Sequence, residues 1–178
     1  KGRELTTLLA LLGDALPLTP LLALAILFCL STAAISASSI SLEGRYLWIL
    51  REAPVDSRTV LDVKWGFQLL VTLPCTLVCI AAVTVGCQLP LDQAGALLLV
   101  SAAFALFHAP FGLYINLCFP KLDAPNDTVV VKQSAAALLG TLVPMLLLGA
   151  AFVFYLLLHG WLGVTGTLLA FALVELAA

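Results

Sequence analysis

The stretch Gly66-Phe-Gln-Leu-Leu-Val-Thr-Leu-Pro-Cys-Thr-Leu-Val-Cys-Ile-Ala-Ala-Val-Thr-Val-Gly86 contains no Asp, Glu, Lys or Arg. As a helix rising 1.5 Å per residue it reaches about 30 Å, the thickness of the hydrocarbon core of a bilayer. A helix closes its own backbone hydrogen bonds, whereas an open sheet edge in lipid leaves them unmade, so no sheet is expected. Composition extends this reading to the whole chain. Hydrophobic residues make up 62% and charged residues 10%, and the mean hydropathy is +1.14. A soluble domain is about 25% charged and about 45–50% apolar. This chain has too little polar surface to cover itself in water, and a bilayer removes that requirement. The expected fold is all-α, a polytopic helical transmembrane bundle.

Working outward from Gly66–Gly86, four more apolar runs appear. Pro20–Ile40 precedes it, with a short apolar helix from Leu5 to Leu16 before that. Ala94–Leu117 follows a break at Cys87–Gln93, which holds Pro90 and Asp92. Ser134–Leu158 is next, then a tight turn at His159-Gly160, then a shorter run, Trp161–Leu176. About five spans are expected, each near the length a bilayer requires. Two polar stretches interrupt them, Ser41–Lys64 and Lys121–Lys132. Arg45, Arg51, Arg58 and Lys64 lie in the first, Lys121 and Lys132 in the second; Lys1 and Arg3 are the remaining two of the eight basic residues. Five spans put both stretches on one side, and the excess of Lys and Arg marks that side as cytoplasmic. Residues 1–178 are expected to be a single transmembrane domain, the C-terminal fragment of a longer chain.

The first polar stretch is more than a linker. Tyr46, Leu47, Trp48, Ile49 and Leu50 form a short amphipathic segment beside Arg45 and Arg51, and Pro54 stops it. Asp56 or Ser57 can then cap a helix that runs from Arg58 into the membrane. Trp48 and Trp65 sit where interfacial aromatics are expected. Two readings follow: a solvated loop anchored by its aromatics, or a rigid helix with exposed apolar anchors on which a partner docks. In the second stretch, Phe119-Pro120 ends the third span and Pro125 keeps the chain extended. Asn116 can satisfy exposed helix-end carbonyls, and Lys121 and Asp123 can pair. Asn126-Asp127-Thr128 fits a glycosylation pattern, discounted on the cytoplasmic side.

These two stretches carry a resemblance. Glu43-Gly44-Arg45, Trp48-x-Leu50-Arg51, Ala53-Pro54-Val55 and Lys64 resemble the signature E-G-[KR]-x-x-W-x-[LI]-[KR]-x-x-P-[IV] of bacterial permeases of the type-2 ATP-binding-cassette (ABC) exporter superfamily. Asn116-Leu-Cys-Phe119-Pro120-Lys121-Leu-Asp123, Asn126-Asp127 and Lys132-Gln133-Ser134 are similar to the family's N-L-x-F-P-K-x-D-W-x-N-E and K-Q-S. Ala124-Pro125 departs from its Trp-containing pair, and Asp127 replaces Glu. The resemblance implies a membrane permease subunit in a bacterial inner membrane. The segment with Glu43, Gly44, Arg45, Trp48, Arg51 and Pro54 becomes a coupling helix that docks on a nucleotide-binding ATPase subunit. Asn116, Phe119, Pro120, Lys121, Asp123, Lys132 and Gln133 form the second cytoplasmic motif. It also implies a second permease copy or half. ATP and magnesium then belong to the partner ATPase, and this chain binds no cofactor.

Other residues are open to bland and sharp readings. His108 lies within the third span, where a polar group is either a functional site or a helix-to-helix hydrogen bond, and the structural role is favoured. Gln68, Gln133, Thr72 and Thr76 either line a path or bond helices together. Glu175 is expected solvated at the cytoplasmic interface, and Asp14 sits near a membrane edge. Pro74, Pro110 and Pro144 are expected to kink their helices. Cys29, Cys75, Cys79, Cys87 and Cys118 read as buried thiols, since Cys75 and Cys79 lack the second ligand pair a metal site needs. There is no phosphate loop, no H-E-x-x-H and no G-x-S-x-G, so the chain is not expected to be an enzyme. It has no basic face for nucleic acid. Besides the ATP-driven permease, an ion-coupled secondary transporter, an intramembrane enzyme and a non-catalytic membrane assembly subunit are the alternatives. The first of these requires charges deep in the spans, where His108 is nearly alone.

Overall fold

The computed structural model describes residues 18–52, 54–123 and 126–177. The short helix expected at Leu5–Leu16, with Lys1, Arg3 and Asp14, lies outside them, as do Ala53, Ala124 and Pro125. The described chain is helical with no strand: α1 (Leu18–Thr32), α2 (Ser36–Leu42), a 3₁₀ turn (Gly44–Tyr46), α3 (Leu47–Glu52), α4 (Ser57–Cys87), α5 (Leu91–Cys118), α6 (Asp127–Gln133) and α7 (Ala135–Ala177). Among the described residues four helical segments are long and apolar enough to cross a membrane: Leu18–Leu42, Ser57–Cys87, Leu91–Cys118 and Asp127–Leu157.

The first span is not one helix, contrary to the Pro20–Ile40 run. It breaks at Ala33–Ile35, between α1 and α2. Side chains compete for backbone groups at this point. Ser31 Oγ donates to Phe28 O at 2.7 Å and Thr32 Oγ1 to Cys29 O at 2.7 Å, and side chains that bond back to the preceding turn weaken the ladder. The amide of Ser36 at the start of α2 then lacks an intrahelical partner. In lipid such a group is costly. The side chain of Gln68, from α4, supplies the acceptor at 2.7 Å.

The last span also turns elsewhere than expected. The backbone is helical through His159 and Gly160, and the reversal falls at Gly163, with φ 70° and ψ 176°. A positive φ of this kind suits a residue without Cβ. Beyond it the return limb, Gly163–Glu175, is too short to span. At 1.5 Å per residue it reaches about 20 Å of a core about 30 Å thick. By contrast, α4, α5 and α7 run on through Pro74, Pro110 and Pro144.

Helix α5 is the centre of the bundle and packs against α7, α2, α4 and α1. Its half nearer Leu91 belongs to an apolar core. Ala23, Ile26, Leu27 and Leu30 of α1 lie at helical spacing and form one face. They meet Leu97, Val100 and Phe104 of α5, Leu148 of α7, and Leu168 and Ala172 of its return limb. That cluster folds the return limb back along the rest of α7. Helix α4 is built the other way round. Its buried residues are Gln68, Thr72, Thr76 and Ile80, one turn apart, while Leu70, Val78 and Val85 point outward. Lipid tails are as apolar as leucine, so nothing drives those side chains inward. Thr72 Oγ1 donates to Gln68 O at 2.9 Å and Thr76 Oγ1 to Thr72 O at 2.7 Å, so these hydroxyls are bonded. The five cysteines follow the same logic and face outward, rather than being buried as expected.

Candidate functional site

The sequence motifs converge at the end of the bundle where the 43–56 and 119–126 connections lie. Their common anchor is α2. Three of its serines are buried, and its own N-cap residue, Ile35, offers no side-chain cap. Neighbouring helices satisfy the amides of Ser36 and Ser41 instead.

From α5, Asn116 is fully buried. Its Oδ1 accepts from Ser41 N at 3.0 Å and from Ser41 Oγ at 3.3 Å, and its Nδ2 donates to Ala37 O. Asn116 therefore satisfies the backbone of a neighbouring helix. Ser41 Oγ also accepts from the amide of Lys121 at 3.0 Å, which ties the second motif to the first. From α4, Lys64 Nζ pairs with Glu43 Oε1 at 2.7 Å and donates to Ser39 O at 3.1 Å. Among the described residues this is the ion pair present; Lys121 and Asp123 form none. An ion pair with a half-exposed partner contributes on the order of 1 kcal/mol or less. Its effect is to fix the exit of α2 against the start of α4.

Gly44 explains itself by contact. A Cβ on Gly44 would lie 2.6 Å from Leu122 O and 2.8 Å from Leu122 Cα. Only glycine lets the 3₁₀ turn press against the 119–126 connection. Lower down, Gly112 and Gly140 do the same for α2, since a Cβ on either would collide with Ser36 or Ala37. Small residues at such positions let helices approach closely in a membrane.

Next to this mount lies a buried chain of side chains. Gln68 and His108 are each 1% exposed. Gln68 Oε1 accepts from Ser36 N at 2.7 Å, its Nε2 lies 3.0 Å from His108 Nδ1, and His108 Nε2 lies 3.3 Å from Gly140 O. The hydrogens follow from the acceptors at each end. Gly140 O can only accept, so Nε2 carries the proton. Ser36 N can only donate, so Gln68 turns its oxygen to it and donates from Nε2 to Nδ1. The pattern closes with a neutral imidazole, and a second proton on His108 would set donor against donor. Phe104 stacks on the ring at 5.6 Å. The chain joins α2, α4, α5 and α7.

What the mount presents outward is the 3₁₀ turn and α3. Tyr46 is 64% exposed and Trp48 59%, with Ile49 also exposed. Pro54 and Val55 are exposed in the break before α4. Asp56 occupies the N-cap of α4 in extended conformation but its side chain makes no capping bond. The side chains of Arg45 and Arg51 lie outside the described structure. Of the second motif, Phe119, Pro120 and Asp123 are exposed and Lys121 is half-buried. Lys132 and Gln133 sit exposed in the last turn of α6. That helix is capped by Asn126, whose Oδ1 accepts from Val129 N at 3.1 Å. Leu122, Ser36, Ser39 and Ser41 are parts of the assembly that the motifs did not flag. The spacing Lys64, Gln68, Thr72, Thr76, one polar residue per turn on an apolar helix, is the signal that marks the inner face of α4.

Glu175 is placed differently from expectation. It stands half-buried beside the middle of α5, on cavities lined by Phe104, Phe107 and Pro110, instead of being solvated. The short return limb leaves it there. Among the described residues no group of three or more His, Cys, Asp or Glu could hold a metal. No family model, curated protein or solved structure matches the chain.

Proposed function

We propose that this chain is the membrane permease subunit of an ATP-driven exporter like those of the type-2 ABC superfamily. Its basic end faces the cytoplasm of a bacterial cell. The segment Gly44–Glu52 docks on a separate nucleotide-binding subunit that holds ATP and magnesium, and a second permease copy or half completes the transporter. The observation that supports this reading is the rigid mount under an exposed apolar helix: Lys64 on Glu43, Asn116 on Ser41, and Gly44 against Leu122. A docking surface needs exposed aromatic anchors on a rigid support. Tyr46 and Trp48 are such anchors. A push on α3 passes to α4 through Glu43–Lys64 and to α5 through Ser41–Asn116.

Trp48→Ala tests it. The full-length protein purified from its native membrane brings with it a stoichiometric ATPase containing a phosphate loop. W48A retains the thermal stability of the parent and loses most of that ATPase. A native preparation with no ATPase, or full retention by W48A, overturns the docking role. A second reading, ion-coupled transport, gains from Glu175, a carboxylate deep among apolar side chains. Transport that collapses with an uncoupler and persists without ATP decides for it.

A further inference from the structure

We propose that the cavity beside Glu175 is a binding site for a lipophilic organic monocation. The cavity measures about 530 Å³, within the usual range for small-molecule sites. It lies between α1, α5 and both limbs of α7, in the apolar half of the bundle. Phe104, Phe107 and Phe171 are among its walls, and Glu175 is its one acidic side chain among the described residues. A second cavity, about 360 Å³, shares Phe107 and Glu175 and runs on to Tyr114. The carboxylate thus stands where the two spaces meet.

Three observations select the ligand. Glu175 Oε2 is buried and has no hydrogen-bond partner among the described residues. A carboxylate so placed calls for a cation, because an uncompensated charge in apolar surroundings is unfavourable. Thr167, the hydroxyl nearest in sequence, is already committed to Gly163 O at 2.9 Å. A bare metal ion takes six or more oxygens, or a compact ligand set, and the described residues gather none. Apart from Thr167 and the phenol of Tyr155 the remaining walls are aliphatic and aromatic, which suits an apolar body, and ring faces attract a diffuse positive charge. One negative group in an apolar space of this size fits one positive charge on a bulky apolar frame.

The probe is tritiated tetraphenylphosphonium, with tetraphenylborate as the isostere of opposite charge, and the full-length protein in lipid nanodiscs. Equilibrium binding needs neither ATP nor a partner, so its outcome is separate from that of the docking test. The expected result is saturable binding of the phosphonium above protein-free nanodiscs, weakened at least tenfold by Glu175→Gln, and no saturable binding of the borate. Ala151→Phe, which fills the cavity and leaves the carboxylate, also abolishes binding. The conservative E175Q decides the matter alone if A151F fails to fold. Equal binding by E175Q, equal binding of both ions, or no saturable phosphonium binding each overturns the proposal; the last leaves Glu175 as a group that takes up a proton only.

Discussion

The two halves of this bundle are held together by different means. The half nearer Leu91 has an apolar core: Leu27 and Leu30 of α1 against Val100 and Phe104 of α5 and Leu168 of α7. The half nearer Glu43 is joined by named polar contacts, Gln68–His108, Asn116–Ser41 and Lys64–Glu43, with glycines where backbones touch. Apolar contact is non-directional and tolerates sliding; in lipid it has no solvent-driven term beyond packing. Hydrogen bonds in a water-free interior have fixed partners. The first kind of half accommodates a cavity, and the second holds a helix in one orientation. The difference teaches that in a membrane the rigid part of a protein is found by its polar residues, not its hydrophobic ones.

The largest expected effect is at Asn116. Asn116→Ala strips acceptors and donors from Ser41 and Ala37, and each buried group left unpaired costs about 1–3 kcal/mol. A loss of about 2–4 kcal/mol is expected in unfolding by SDS titration. A loss smaller than that of Leu27→Ala, in the apolar half, breaks the comparison. Gly44→Ala comes next, at about 1–3 kcal/mol, because the new methyl meets backbone rather than a movable side chain. It should also raise proteolytic cleavage near Leu122. Smallest is Leu70→Ala. Leu70 is 71% exposed on α4 in the polar half, and its truncation is expected to stay within about 0.5 kcal/mol. A clear destabilisation there shows that α4 has a packing partner beyond the described contacts.

Much of the fold was legible in the sequence. Gly66–Gly86 and Ala94–Leu117 fall within α4 and α5, and the segment before Pro54 is a short helix followed by a break and a helix from Ser57. These depend on local composition and on charges at helix ends. What was not legible depends on tertiary partners. The interruption at Ala33–Ile35 keeps apolar composition and is tolerated because Gln68, on another helix, takes the Ser36 amide. The reversal at Gly163 rather than His159-Gly160 is a choice between glycines three residues apart. That shift sets where Glu175 stands along α5. The cysteines face outward because the rule that apolar means inside belongs to water-soluble proteins. Within the candidate site, Glu43, Gly44, Asn116 and Lys121 stood out as sequence, but Ser41 and Leu122 carry no local mark, because their roles are contacts across roughly the length of two spans.

The interruption at Ala33–Ile35 has a mechanical meaning. α1 shares the apolar core, whereas α2 is clamped by Gln68, Asn116 and the glycines of α5 and α7. One crossing of the bilayer is thus divided between two owners. An unbroken rod would carry a tilt at Glu43 along its whole length to Leu18. A jointed one lets the tilt end at the break, about two-thirds of the way from Leu18 to Leu42, while the helix before it keeps its place in the apolar core.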